Sequence, residues 1–307
     1  MFGRASAILT ILASCVVAPA WSQIAFVTNE HGNLDIAVAS DDGRSYTMLT
    51  TSDDAEAAPA WSPDGTSLTY TASSHGNIDI FRMTAAGGSV VRLTDSPDQD
   101  AESAWSPDGS RIAFSSDRTG SWDVYVMSAD GDDIRQITTH AAIDGCPTWS
   151  PDGTEIAFTS TRSGMASVMV MGADGSDLRF LAGAPYSCAD PVWSPDGRWI
   201  AFRGATDANH EICVVPAGGG SVSNISAHPA GDHEPAWSPN GSEIAFTSDR
   251  DGGMAVYVMN ATGNGAVRRV TPEGIAAWAP TWAGSPEPFA VSPRDRHVTT
   301  WGAIRAR

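Results

Sequence analysis

Trp61-Ser62-Pro63-Asp64-Gly65 is a five-residue stretch that this chain repeats with a strict period. It returns as Trp105 to Gly109, Trp149 to Gly153 and Trp193 to Gly197, and, with Asn240 in place of Asp, as Trp237 to Gly241, so the five tryptophans stand 44 residues apart. A fixed period of this length marks an architecture in which each unit buries its apolar face against the next. Pro presets φ at the first turn position, Asp bonds its own backbone and Gly takes the positive φ that closes a hairpin. Asp64, Asp108, Asp152 and Asp196 therefore read as turn residues rather than catalytic ones, and each Trp as an apolar plug between neighbouring units.

Outward from that stretch, each period runs Pro-x-Trp-Ser-Pro-Asp-Gly, then Ile-Ala-Phe, then a loop bearing Gly or Asn, then Val-Tyr-Val-Met, then Arg-x-Leu-Thr. These runs are strand-sized and rich in β-branched and aromatic residues. Four short strands per period make one sheet. The inner sets begin at Ile24, Leu68, Ile112, Ile156, Ile200 and Ile244, and first strands lead into Trp61, Trp105, Trp149, Trp193, Trp237 and Trp282, six of each. The chain thus starts on the second strand of one unit and ends on its missing first strand. The expected fold is all-β: a six-bladed propeller of four-stranded antiparallel blades, closed by Pro280 to Ala283 pairing with the N-terminal blade, which leaves no open edge between first and last blades.

These motifs resemble the WD40-like Pro-Asp propeller repeats of the TolB family, over roughly residues 24 to 284. The resemblance implies a periplasmic component of a cell-envelope complex that binds a peptidoglycan-associated lipoprotein and other partners through its propeller. The family's α/β domain ahead of the propeller has no counterpart in the twenty or so residues before Ile24, so that domain's role does not carry over. The same blades precede hydrolase domains in prolyl-oligopeptidase-like enzymes, but no Gly-x-Ser-x-Gly elbow is present.

Residues 1–20 read as an export signal, with Arg4, an apolar core from Ala5 to Val17 and the small-x-small site Ala18-Pro19-Ala20. Leu12-Ala13-Ser14-Cys15 also resembles a lipobox, which would place a lipid anchor on Cys15; the apolar run through Val16 and Val17 favours the ordinary signal. Residues 21–284 form the propeller, and residues 285–307, with three prolines and four arginines, read as a loose tail. No other run is long and apolar enough to span a bilayer. A periplasmic or secreted monomer is expected.

Net charge is −18, and all 18 residues of the Lys and Arg total are arginine. So acidic a surface repels nucleic acid and anionic lipid and suits basic protein partners or divalent cations. Beyond Cys15 there are three cysteines, Cys146, Cys188 and Cys213. An exported protein can oxidise Cys146 and Cys188, on neighbouring blades, only where their Cα atoms approach within about 7 Å. Cys213 replaces a third-strand Tyr and reads as a small buried hydrophobe.

Acidic residues recur ahead of the tryptophans: Glu56, Asp100, Asp144 and Asp232 five before, and Glu102, Asp190 and Glu234 three before. Positions two apart on a strand point the same way, so these side chains are expected to converge on the channel mouth. Two readings stand. One is a bound cation, Ca²⁺ by its tolerance of loose oxygen geometry, with Asp232 and Glu234 as ligands beside His233. The other is local: carboxylates that cap backbone amides or pair with Arg118, Arg162 or Arg250. His31 and His75 read as copies of one duplicated loop. The expected function is a non-enzymatic module that binds a cell-envelope protein through the channel face. The alternative is a lyase or hydrolase acting on a polysaccharide or peptide, with acid-base groups among Asp100, Glu102, His233 and Glu234.

Overall fold

A computed structural model describes residues 23–74, 76–183, 187–205 and 209–284. The export signal, Cys15, His75 and the C-terminal tail lie outside the described residues. Six four-stranded antiparallel sheets make up the described chain. Blade I joins the last strand to the first three: Ala277–Trp282, Gln23–Thr28, Asp35–Ser40 and Tyr46–Met48 lie side by side in that order. Ile24 faces Trp282 and Val27 faces Trp278 across this seam, so the expected closure of the ring is present. Blades II to VI follow in chain order, with first strands Ala55–Trp61, Asp100–Trp105, Asp144–Trp149, Cys188–Trp193 and Asp232–Trp237. Each first strand touches the first strand of the blade on either side, so these six strands wall the central channel.

The core lies between blades. Phe26, Phe114, Phe158, Phe202 and Phe246 of the Ile-Ala-Phe runs are fully buried. Trp193 packs with Ala157, Val168 and Val170 of blade IV as well as with Ile200 and Phe202 of its own blade V, and Trp149 bridges blades III and IV in the same manner. Each plug thus buries apolar surface from two sheets at once, the largest favourable term available to a ring of small sheets. Arginines add a second tie: Arg82 donates to the Ala129 carbonyl of the next blade at 2.8 Å and Arg179 to the Ala217 carbonyl at 3.1 Å, and Arg268 reaches the Asp41 carbonyl of blade I.

The Trp-Ser-Pro-Asp-Gly turn is built as its residues dictate. In blade III, Asp108 Oδ1 accepts from the Ser106 hydroxyl at 2.6 Å and from the Ser110 amide at 3.0 Å, while Gly109 stands at φ 69°. Asn240 accepts the same bonds from Ser238 and Ser242. The hydroxyl and amide donors hold Asp108 below the ordinary carboxylate range.

In blades I to III the Thr that ends the period has a partner too. Thr50, Thr94 and Thr138 each accept the third-strand amide, from Ile36, Ile80 and Val124, and donate towards the buried carboxylates of Asp35, Asp79 and Asp123. Cys146, Cys188 and Cys213 are thiols, and no disulfide joins Cys146 to Cys188. Cys213 is buried against Phe202 in the blade V core, as its position implied.

Candidate functional site

Every first strand carries an extra residue opposite its second strand, and that residue, three before the Trp, takes a left-handed backbone. The six are Ala58, Glu102, Cys146, Asp190, Glu234 and Ala279, with φ between 48° and 57°. A bulge of this kind breaks the two-residue alternation. The side chains five and three before the Trp are therefore not equivalent, contrary to the simple parity of an unbroken strand. Asp100, Asp144 and Asp232 are fully buried, whereas Glu102 is exposed and Asp190 and Glu234 are half-buried at the channel wall.

The buried set is paired with arginine within each blade, although Asp144 Oδ1 and Asp232 Oδ2 accept no hydrogen bond among the described residues. Asp100 pairs with Arg118 at 2.8 Å, Asp144 with Arg162 at 2.6 Å and Asp232 with Arg250 at 2.9 Å, each Arg standing 18 residues on. The Nε of each Arg donates to Ser116, Ser160 or Ser248, opposite the Asp on the second strand. Its guanidinium lies over Phe114 and Tyr125, over Phe158, or over Phe246 and Tyr257. A buried carboxylate with a hydrogen-bonded guanidinium is compensated in place. Glu56 has no Arg. It accepts from Ser52 at 2.5 Å and Thr50 at 3.1 Å, and burial first, then the neighbouring Asp35 and Asp54, raise its pKa.

The channel set links blades. Glu102 Oε2 accepts from the Ser115 hydroxyl at 2.6 Å and from the Cys146 amide of the next blade at 2.7 Å. Glu234 Oε2 does the same with Thr247 and the Ala279 amide, both at 2.8 Å. Between them, the Cys146 thiol points to Asp190 at 3.4 Å, and Asp190 accepts from Arg203 Nε at 2.9 Å. Burial raises the pKa of Glu234, against the hydrogen bonds from Thr247 and Ala279. Asp232 and Glu234 thus serve different partners, and among the described residues no group of three or more His, Cys, Asp or Glu is arranged to hold a metal ion.

His233 sits at the mouth, where its ring meets that of His210 from blade V with centroids 4.9 Å apart. Arg203 and His210 belong to no motif and escape a reading of motifs. Their signal is departure from the repeat: where blade V has Arg203, the other blades have Val27, Thr71, Ser115, Thr159 and Thr247.

A central channel walled by six bulged first strands, with tryptophan plugs between blades and Ser-Pro-Asp-Gly turns within them, defines a propeller of the Pro-Asp repeat class. The family model for the TolB beta propeller domain matches residues 3–134, 101–183 and 179–301, and the chain belongs to this family. No curated protein matches it. Among solved structures it is similar to TolB from Acinetobacter baumannii, with a TM-score of 0.77 and 21% identity over 86% of this chain and 67% of that one. It is also similar to a putative TolB from Agrobacterium tumefaciens, with a TM-score of 0.68 and 22% identity over 85% of this chain and 97% of the other. A chain of a nidogen/laminin complex shares the fold at a TM-score of 0.70 and 12% identity, over 85% of this chain and 98% of that one.

Among the described residues no helix is long and apolar enough to cross a membrane.

Proposed function

We propose that this chain is an exported binding module of the cell envelope, periplasmic in location, that receives a protein segment on its channel face. The observation that carries the reading is the asymmetry of the channel ring: Glu102, Cys146, Asp190 and Glu234 line one arc, and Ala58 and Ala279 the other. An acidic arc beside a small-residue arc offers charge to a basic segment and room for its apolar part. Membership of the TolB propeller family supports the reading, and the export signal expected over residues 1–20 accords with it. Glu102 and Glu234 hold fixed hydrogen bonds from hydroxyls and amides, and Asp190 from a guanidinium and a thiol, which suits recognition; acid-base catalysis would need two carboxyls of opposed pKa facing one substrate, and Asp100 is paired with Arg118.

The test is capture from a periplasmic extract by the full chain and by the Glu102→Gln/Glu234→Gln variant, with and without chelator. A protein retained by the native chain in both buffers and lost from the variant is the expected result. Recovery of no protein partner, together with turnover of an oligosaccharide, would overturn the reading.

A further inference from the structure

The cleft between blades V and VI differs from the other five. Three positions that meet at the channel mouth are occupied elsewhere by small, apolar or hydroxyl residues. The second-strand position gives Val27, Thr71, Ser115, Thr159 and Thr247 against Arg203. The position one before Asp35, Asp79, Asp123, Ser167, Glu211 and Ala255 on the third strand or at its start gives Leu34, Ile78, Trp122, Ala166 and Met254 against His210. The first-strand position four before the Trp gives Ala57, Ala101, Gly145, Ala189 and Trp278 against His233. The alignment rests on the ladder: Ala57 faces Thr71, Ala101 faces Ser115, Gly145 faces Thr159, Trp278 faces Val27, Ala189 faces Arg203 and His233 faces Thr247. Arg203 faces Ile212 and Ala205 faces His210, so Arg203 and His210 share one face of blade V. Ile212 packs on blade VI, which turns that face towards the strand bearing His233.

Arg203 is tied at one corner only. Its Nε donates to Asp190, and among the described residues its two terminal nitrogens have no hydrogen-bond partner, with the side chain 29% exposed. A guanidinium cannot lose its charge and has only donors to offer. Burial, then the charge of Arg203, lowers the pKa of both His210 and His233. At neutral pH the rings are thus uncharged, each still with one N–H to donate.

We propose that Arg203, His210 and His233 form an anion site that takes a carboxylate of a bound polypeptide, an Asp or Glu side chain or a chain terminus. The open edge of the guanidinium receives the two carboxylate oxygens, as its planar geometry favours, and the imidazoles flank it. Asp190 holds Arg203 at its Nε, which leaves the far edge of the guanidinium open. A peptide whose basic groups meet the acidic arc while its carboxylate meets Arg203 satisfies both poles. The biological occupant rests on the binding role proposed above; the anion site does not.

The site is tested with acetate as the probe, followed through the histidine ring-proton NMR signals of the full chain, with chloride at equal ionic strength as control. Phosphate forms a second arm. Substitutions are copied from the other blades, where the same positions already carry them: Arg203→Thr and His233→Ala, each checked by its melting temperature. The expected result is a saturable shift of the His210 and His233 signals by acetate, weakened about tenfold or more in Arg203→Thr, the size of a lost charge-assisted hydrogen-bond pair. Should Arg203→Thr melt early, the His233→Ala chain serves in its place, with weaker acetate binding read from His210. Shifts that do not saturate, that chloride reproduces, or that persist unchanged in the variants overturn the site; saturation by phosphate alone overturns the carboxylate assignment. Acetate binding with no protein captured and an oligosaccharide turned over would instead defeat the binding role and leave the site standing.

Discussion

A carboxylate buried with an arginine and one buried without it behave differently, and this chain holds both. Asp232 has Arg250 beside it, whereas Glu56 and Asp35 share Thr50 and have no arginine among the described residues, His31 lying 4.0 Å from Asp35. The pKa of Glu56 is raised in the fold, by burial first and then by Asp35 and Asp54. Its effect on stability therefore appears as pH rises: at pH 3 folded and unfolded chains are both protonated, and above the unfolded value the fold carries a penalty. Glu56→Gln removes that titration. Relative to the native chain the variant is expected to gain stability between pH 3 and pH 7, on the order of 1 kcal/mol. Denaturant unfolding at the two pH values measures it, and an equal difference at both would refute the account.

At the scale of the element, the Ser-Pro-Asp-Gly turn works through what its acceptor oxygen can reach, not through charge alone. Asn240 already makes the bonds of its aspartate counterparts. Asp108→Asn is accordingly expected to be nearly neutral at pH 7, while Asp108→Ala leaves the Ser106 hydroxyl and Ser110 amide without their acceptor and costs about 1 kcal/mol. Because the folded pKa of Asp108 is depressed, the native advantage over Asp108→Ala is present above the unfolded value and fades as pH falls through the folded one. Thermal melts of the three chains between pH 2 and pH 7 check both statements. The turn was legible in the sequence because its chemistry is local. The bulge one strand earlier was not, since Ala, Glu, Cys and Asp all occupy it and none advertises a positive φ.

Across the whole molecule, closure depends on two chain ends meeting in blade I. Trp282 is 8% exposed and packs with Ile24 and Phe26, although more than 250 residues separate it from them. Trp282→Ala is expected to cost about 3–5 kcal/mol, more than Trp105→Ala, whose ring is only half-buried. Hydrogen exchange should localise the loss to the strands Gln23–Thr28 and Ala277–Trp282. Exchange spread evenly over six blades would mean that the seam is no weaker than any other joint.

The period of 44 residues, the four strands in each period and the offset that joins the two ends were all readable before any coordinates, because they follow from spacing, turn chemistry and apolar pattern along one line of chain. The fate of the acids was not. Whether Asp100 opens to the channel or turns inward to Arg118 is settled by a bulge that shifts side-chain direction and by a guanidinium that comes from the loop after the next strand. The regular 18-residue spacing of the Asp–Arg pairs gains meaning only when the ladder places both on one blade. Arg203, His210 and His233 are scattered over three strands, and only the packing of blade V on blade VI brings them together.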